Sequence, residues 1–143
     1  MKKIIFLPLV FLFNIVFAQN TDDILGYWLN QDNDAKIEIY KEDNSFFGKL
    51  FWLKEPNEKD GSPKIDDKNP NENLRDRNLQ GLVIVKNLKF DKKDKEWSGG
   101  KIYDPKSGKT YKCFAKIDGE NLNLRGYIGF SFIGRTATWI RVK

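Results

Sequence analysis

The chain contains no histidine among its 143 residues. Histidine titrates nearest to neutral pH and is the commonest metal ligand in proteins. Its absence removes the Ser–His and Cys–His nucleophile pairs and the usual zinc sites. No other group of residues in the sequence matches a known catalytic motif. We therefore expect neither a metal nor another cofactor, and a protein that is not an enzyme.

Paired carboxylates are the catalytic chemistry that remains open. Asp66 or Asp67, together with Asp104, would form such a pair in an acid-dependent hydrolase. That chemistry needs one carboxyl group with an abnormally high pKa. The alternative is therefore kept as a testable hypothesis.

Cysteine is almost absent too, since Cys113 stands alone. An exported domain that depends on disulfides carries its cysteines in pairs, so no intramolecular disulfide is expected. In the stretch TYKCFAKI, residues 110–117, alternation places Tyr111, Cys113, Ala115 and Ile117 on one face of a strand. We expect a buried, inert thiol.

The first 18 residues have the pattern of a secretory signal peptide. Lys2 and Lys3 precede an apolar run that ends at Ala18, and Pro8 and Asn14 interrupt this run, which is short for a membrane anchor. We expect cleavage after Ala18 and export to the periplasm or the medium. Residues 19–143 then form one domain with no transmembrane span.

The charge is mildly basic, at +5, and the bases concentrate in the second half of the chain. A basic patch for anionic lipid or a cell-wall polymer is one interpretation. The lysines mostly alternate with apolar residues, as on the solvated faces of strands, and this favours the simpler interpretation. Nucleic acid is not an expected partner of an exported protein.

The remaining sequence predicts an all-β fold, because apolar residues recur with period two between turn signals. A small eight-stranded antiparallel up-and-down barrel accommodates such a chain best, since closure removes exposed edges; an open sandwich is the alternative. A barrel of this size has room for side chains or for one small ligand. The predicted strands cover 24–30, 35–41, 45–53, 82–90, 97–104, 109–117, 121–128 and 135–142.

The connection at 54–81 is the one long segment without strand character, and it holds three of the five prolines. Asn69 has the features of a helix N-cap, with Pro70 at the first helical position and Glu72 completing a capping box. Leu74 would lie on the face of this helix. We predict a short helix across one mouth of the barrel.

Three stretches together resemble a family of exported bacterial proteins catalogued as domain of unknown function 2147. They are NPNENLRDRNLQGL at 69–82, WSGGKIYDPKSGKTY at 97–111 and RGYIGFSFIGRTATW at 125–139. The resemblance implies a compact, exported, lipocalin-like β domain and supplies no activity. From the residues alone, Gly99 and Gly100 are expected to permit a β-bulge or sharp coiling.

A second resemblance is to the lipocalins, whose first strand begins with Gly-x-Trp. Here Gly26 and Trp28 have that spacing. The resemblance implies that an arginine of the last strand, Arg135 or Arg141, packs over Trp28, and we take Arg135 as the candidate. The shorter chain and the lack of disulfides depart from secreted lipocalins and argue against a roomy ligand cup.

Arginines in the long connection are the first ligand-binding candidates. Arg75 or Arg77 would hold a carboxylate or phosphate at the barrel mouth. The alternative, which we favour, is that they pair with Asp66, Asp67 or Asp76 within the connection.

The stretch GYIGFSFIG at 126–134 supplies the apolar candidates, Tyr127, Phe130 and Phe132. It would rim a lipid-binding mouth or dip into a membrane surface; alternatively, it folds inward and plugs the end opposite the helix.

The function predicted from sequence is binding of a small hydrophobic or amphipathic ligand, with Arg75 at its polar head. The alternative is a monomeric interaction module for an envelope component, with Trp52, Trp97 and Trp139 filling the core.

Overall fold

Eight strands pair in chain order and close on themselves, as the alternating pattern predicts. The computed structural model describes residues 19–143, so the predicted signal peptide at 1–18 lies outside the described residues. Each strand is antiparallel to the next, and the last pairs with the first through Trp28–Arg141 and Leu29–Ile140. The strands are β1 Gly26–Leu29, β2 Ala35–Glu42, β3 Ser45–Leu53, β4 Val83–Asp91, β5 Glu96–Asp104, β6 Lys109–Asp118, β7 Asn121–Tyr127 and β8 Gly134–Arg141.

The up-and-down order sorts the connections between the two ends of the barrel. One end, here called the open end, carries the loops β1–β2, β3–β4, β5–β6 and β7–β8. The long 54–81 connection and the 128–133 loop therefore share an end. The idea that the aromatic loop plugs the end opposite the long connection is wrong, because an even number of strands separates the two loops.

Residues 19–25 cross the other end, here called the closed end. Trp97 Nε1 donates to the carbonyl of Thr21 at 2.9 Å, and Trp28 Nε1 donates to that of Ile24 at 3.0 Å. Ile24 and both indoles are fully buried. Each tryptophan is therefore both hydrogen-bonded to the N-terminal segment and buried in the core. Their side chains fill this end of the barrel.

The arginine over Trp28 is Arg141, not Arg135. Its guanidinium lies 4.2 Å from the centre of the indole and donates to the carbonyls of Leu25 and Asp23. Strand pairing explains the correction, because Arg141 is directly opposite Trp28 in the β1–β8 ladder. Arg135 lies near the start of β8, at the open end.

Bulges decide which side chains enter the barrel. Between β2 and β3, Lys36 pairs with Trp52 and Ile37 with Leu50, so Phe51 is extra and Trp52 turns outward. Trp52 is therefore partly exposed beneath Lys36 rather than inside the barrel, contrary to the filled-core prediction. A second register shift lies between Trp97 and Gly100. This confirms the bulge predicted at Gly99 and Gly100.

The thiol of Cys113 is buried in the core with Ala115, as strand alternation predicts. Burial alone raises the pKa of Cys113 to about 12. Such a thiol stays protonated at neutral pH and has little nucleophilic character.

Candidate ligand site at the open end

The long connection folds around a buried carboxylate. Asp66 has no exposed surface and accepts three side-chain partners: Tyr103 Oη at 2.5 Å, Asn69 Nδ2 at 2.8 Å, and Arg77 through Nη2 at 2.9 Å and Nε at 3.2 Å. Burial by itself raises the pKa of Asp66, but the hydrogen bonds from Tyr103, Asn69 and Arg77 outweigh it, and the pKa is lowered. Asp66 is therefore held as a structural anion.

This geometry supports the self-paired interpretation of the arginines. Arg77 donates from both Nε and Nη2 to one oxygen of Asp66, Oδ2. Arg75 donates from Nε to the carbonyl of Asn69 at 2.7 Å and lies 3.7 Å from Glu72. Arg77 also lines an outer groove of about 780 Å³ beside Tyr40 and Phe47. The guanidinium of Arg77 is already paired with Asp66, and that of Arg75 is bonded within the connection. Neither guanidinium is therefore free to bind a ligand.

The predicted helix is smaller and begins later than expected. A single 3₁₀ turn spans Glu72–Leu74, and its N-cap is Asn71, which accepts from the amide of Asn73 at 3.1 Å. Asn69 is not the cap. Asn69 is buried, and its side chain donates to Asp66 and accepts from the backbone amide of Asn71. These hydrogen bonds hold the side chain beside the carboxylate rather than at the start of the helix. Pro70 precedes that cap rather than opening the helix.

The hydrolase hypothesis loses its clearest support here. An acid catalyst needs a raised carboxyl pKa, whereas that of Asp66 is lowered. Asp104 is engaged elsewhere, accepting from Ser107 Oγ at 2.7 Å and from the Lys106 amide at 3.0 Å in the β5–β6 turn.

A cleft of about 910 Å³ opens between β5 and β8 at the open end. Its deepest residues are Leu124, which is buried, and Ala137, which faces it across β7 and β8. One inward position further, Leu122 and Trp139 are buried and fill the closed half. The barrel is thus packed at one end and concave at the other.

The walls of the cleft are apolar and closely set. Ile102 and Tyr111 face Gly126, where an added Cβ would stand 3.6 Å and 3.5 Å from them. Since Gly126 has no side chain, space remains between these walls. Small ligand sites typically enclose roughly 300–1,000 Å³ and are lined mainly by apolar groups, so this cleft has the size and lining of one.

The rim of the cleft carries two cations. Arg135 pairs with Gly126 in the ladder and so shares its inward face, and Lys109 stands at the start of β6. Within residues 19–143 neither side chain has an ion pair or a hydrogen bond. Two acids share the rim: Asp32, which lies 3.4 Å from Lys106 Nζ, and Asp104, which accepts from neutral groups of its own turn and is opposite Lys109 in the β5–β6 ladder. The rim therefore carries charges of both signs, and within residues 19–143 its two cations have no acidic partner at ion-pair distance.

Lys106 also ties two loops together at the open end. Its ammonium lies 3.0 Å from Asp34 in the β1–β2 loop, although Lys106 itself belongs to the β5–β6 turn. The hydrogen bond and charge of Asp34 raise the pKa of Lys106, while hydrogen bonds from Asn30 and Lys106 lower that of Asp34. The cleft lies on one side of this bridge.

The predicted apolar candidates divide between the cleft and the solvent. Tyr127 and its neighbour Ile128 border the mouth of the cleft, and the Tyr127 ring lies on the outer face of the barrel near Phe114. Phe130 and Phe132 stack on each other beyond the cleft, exposed by 67% and 75%. Lys109, Tyr111 and Leu124 were not among the candidates predicted from the sequence, and Arg135 was predicted to pack over Trp28. Strand alternation was the available signal, since Arg135, Ala137 and buried Trp139 share a face.

Within residues 19–143, no helix has the length and apolar character needed to cross a bilayer. No group of three or more Cys, Asp or Glu side chains in that range is placed to hold a metal ion.

Fold and cleft together define a lipocalin-like barrel. Residues 26–141 match the family described as "Uncharacterized protein conserved in bacteria (DUF2147)", and the chain belongs to that family. Among solved structures it is similar to protein HP1028 from the human pathogen Helicobacter pylori, described as belonging to the lipocalin family. The two are 26% identical with a TM-score of 0.72, over 85% of this chain and 84% of that one. No curated protein matches the chain.

Proposed function

We propose that this protein binds a small amphipathic molecule with an anionic head group in the cleft between β5 and β8. The observation that carries the proposal is the combination of an apolar floor, Leu124 and Ala137, with two rim cations, Arg135 and Lys109, that have no ion pair within residues 19–143. Barrels of this strand number hold one small ligand in lipocalins. Binding without catalysis suits a site with no histidine.

The roles of the sequence candidates change accordingly. Tyr127 remains at the border of the proposed site, and Arg135 replaces Arg75 and Arg77 as the partner of the head group. A guanidinium suits a carboxylate or phosphate because its planar fork donates two parallel hydrogen bonds. Phe130 and Phe132 lie outside the cleft and are not needed for this ligand.

The binding test uses residues 19–143, which contain the closed barrel and its core, and a dansylated fatty acid as the probe. We expect saturable binding of one probe per chain, with a blue-shifted emission as the fluorophore leaves water. Gly126→Leu places a side chain between Ile102 and Tyr111. We expect it to weaken binding of the probe at least ~10-fold, because the leucine occupies the space that would bury the acyl chain of the fatty acid.

A matched control adds the same side chain outside the cleft. Asn121→Leu alters an exposed residue at the other end of β7 and is expected to bind the probe as the parent does. Arg135→Gln should weaken the fatty acid more than the corresponding uncharged alcohol. Equal binding by all variants, or none by the parent, would contradict the proposal.

The competing function is a ligand-free interaction module of the cell envelope. The packing of Trp28, Trp97 and Trp139 in the closed half favours it. Native mass spectrometry of protein from its own host separates the two functions. An added mass that organic extraction removes supports ligand binding, and a bare polypeptide mass supports the module.

We further propose that the protein is exported as a monomer and acts in the periplasm or outside the cell. The charged start, apolar run and Ala18 support this. N-terminal sequencing of protein from the envelope fraction should begin at Gln19. A chain that retains Met1 in the cytoplasmic fraction would contradict export.

A further inference from the structure

The loop between β7 and β8 exposes a compact apolar surface, here called the apolar tip, residues 128–133. Ile128, Phe130, Phe132 and Ile133 are each more than 60% exposed. Arg125 holds the loop from below by donating to the carbonyls of Ser131 and Phe132. The aromatic side chains are therefore presented to solvent by an anchored backbone, although their burial would be favourable.

Three lysines form a row beside this tip, here called the lysine ladder. Lys86 is directly opposite Lys101 in the β4–β5 pairing, and Lys101 is directly opposite Lys112 in the β5–β6 pairing. Lys112 in turn is opposite Tyr127, the residue that leads into the tip. The ladder and the tip are thus continuous on the outer wall.

The ladder is electrostatically unfavourable in the isolated protein. Like charges directly opposite each other destabilise a sheet, and within residues 19–143 none of the three ammonium groups has an acidic partner within ion-pair distance. The next outward residues along β5 and β6, Tyr103, Thr110 and Phe114, carry no charge at neutral pH. Glu42 lines the same outer groove as Lys86 but is not within ion-pair distance of it. An anionic surface would relieve this repulsion.

The position of the ladder suits a planar partner. Each lysine lies three residues from the open end of its strand, or roughly 10 Å at the usual rise of a β-strand. That is about one Debye length at physiological salt, so a surface touched by the tip acts on all three charges. Lys109 and Arg135, nearer the rim, add to the same field.

We propose that the open end of the barrel docks on a bilayer containing anionic lipid. The apolar tip enters the interface between head groups and acyl chains, and the lysine ladder lies over the anionic head groups. Aromatic and aliphatic side chains combined with basic residues are the usual composition of interfacial membrane contacts. This docking does not require a ligand in the cleft, although Ile128, Arg135 and Lys109 border both the cleft and the docking surface.

The test is co-sedimentation of residues 19–143 with vesicles of phosphatidylcholine, with and without phosphatidylglycerol. We expect binding only to the vesicles with phosphatidylglycerol, and its loss at high salt. A lysine at an anionic surface is worth about fivefold in affinity, and about one Debye length away this falls to roughly twofold, so Lys86→Gln, Lys101→Gln and Lys112→Gln combined should weaken binding at least ~5-fold. Phe130→Ser with Phe132→Ser should also abolish sedimentation, because two exposed rings no longer enter the interface.

The matched control removes three lysines at the other end of the barrel. Lys92→Gln, Lys93→Gln and Lys95→Gln make the same charge change in the β4–β5 loop and should leave binding unchanged. Gly126→Leu should bind vesicles as the parent does, which separates docking from filling of the cleft. Absence of binding, as expected if the surface meets an acidic protein instead, would overturn the proposal. So would equal losses in the two lysine triples.

Discussion

Replacing Asp66 by alanine is expected to lower the free energy of unfolding by about 3 kcal/mol. The carboxylate is fully buried and accepts from Tyr103, Asn69 and Arg77. Its removal leaves the hydroxyl of the half-buried Tyr103 and the amide of the buried Asn69 without an acceptor, and a guanidinium without its counter-ion. Arg77 is partly exposed and is rehydrated in part, which keeps the loss below that of a fully buried pair.

Chemical denaturation provides the measurement, with Asp67→Ala as the control. Asp67 is the adjacent residue and is exposed, so its removal should change stability by less than ~0.5 kcal/mol. Tyr103→Phe removes only the phenol and should cost about 2 kcal/mol, as for a hydrogen bond to a charged group. If Asp66→Ala proved as mild as Asp67→Ala, the buried network would contribute nothing to stability.

The same network predicts how stability depends on pH. Because the pKa of Asp66 is lowered in the folded state, its contribution is present above the ordinary aspartate pKa of about 4 and is lost as the pH falls through the folded value. Burial, with the hydrogen bond to Asp66, raises the pKa of Tyr103 to about 12. That contribution is complete below pH ~10 and is lost as the pH rises from there towards 12. When the free energy of unfolding is measured against pH, Asp66→Asn should weaken its dependence on pH on the acid side. Tyr103→Phe should weaken that dependence on the alkaline side.

The barrel was predictable because each strand alternates and each turn has recognisable chemistry. All eight predicted strands exist, and their ends differ from the predictions by no more than two residues. The outward turn of Trp52 was not predictable, since one extra residue at Phe51 reverses the faces beyond it. Which of two arginines meets Trp28 likewise depends on ladder register, which period-two alternation leaves open.

Most residues of the proposed cleft were not among the candidates that the sequence suggested. The arginines of the 54–81 connection stand out in the sequence, yet a buried carboxylate eleven residues away engages Arg77. The cleft arises instead from Gly126, Ala137 and Leu124, which are ordinary strand residues until β5–β8 come together. Tyr127 is the one apolar candidate that both the sequence argument and the cleft include.

Gly108→Ala is expected to destabilise the protein by about 3 kcal/mol, since it combines backbone strain with a collision. Gly108 has φ +73°, a conformation that costs an alanine roughly 1–2 kcal/mol. An added Cβ would also stand 2.0 Å from the carbonyl oxygen of Lys68. The long connection would have to move away from the β5–β6 turn, and Asp66 would move with it.

A second glycine separates the two causes. Gly119 has φ +59° in the β6–β7 turn, and nothing lies within 4 Å of its added Cβ. Gly119→Ala should therefore lower the free energy of unfolding only by the backbone strain of an alanine at positive φ, about 1 kcal/mol. If the two alanine variants were equally stable, the contact between the connection and the β5–β6 turn would not exist in solution.

The double variant Gly108→Ala with Asp66→Ala tests whether the Gly108–Lys68 contact and the hydrogen bonds of Asp66 stabilise the protein together. Sites that share a partner are not additive, and both changes release the segment around Lys68 and Asn69 from the β5–β6 hairpin. We expect the pair to cost at least ~1 kcal/mol less than the sum of the single changes. Gly119→Ala combined with Asp66→Ala should be additive, because that turn lies at the closed end. Additivity in both pairs would mean that the connection is fastened at two independent points.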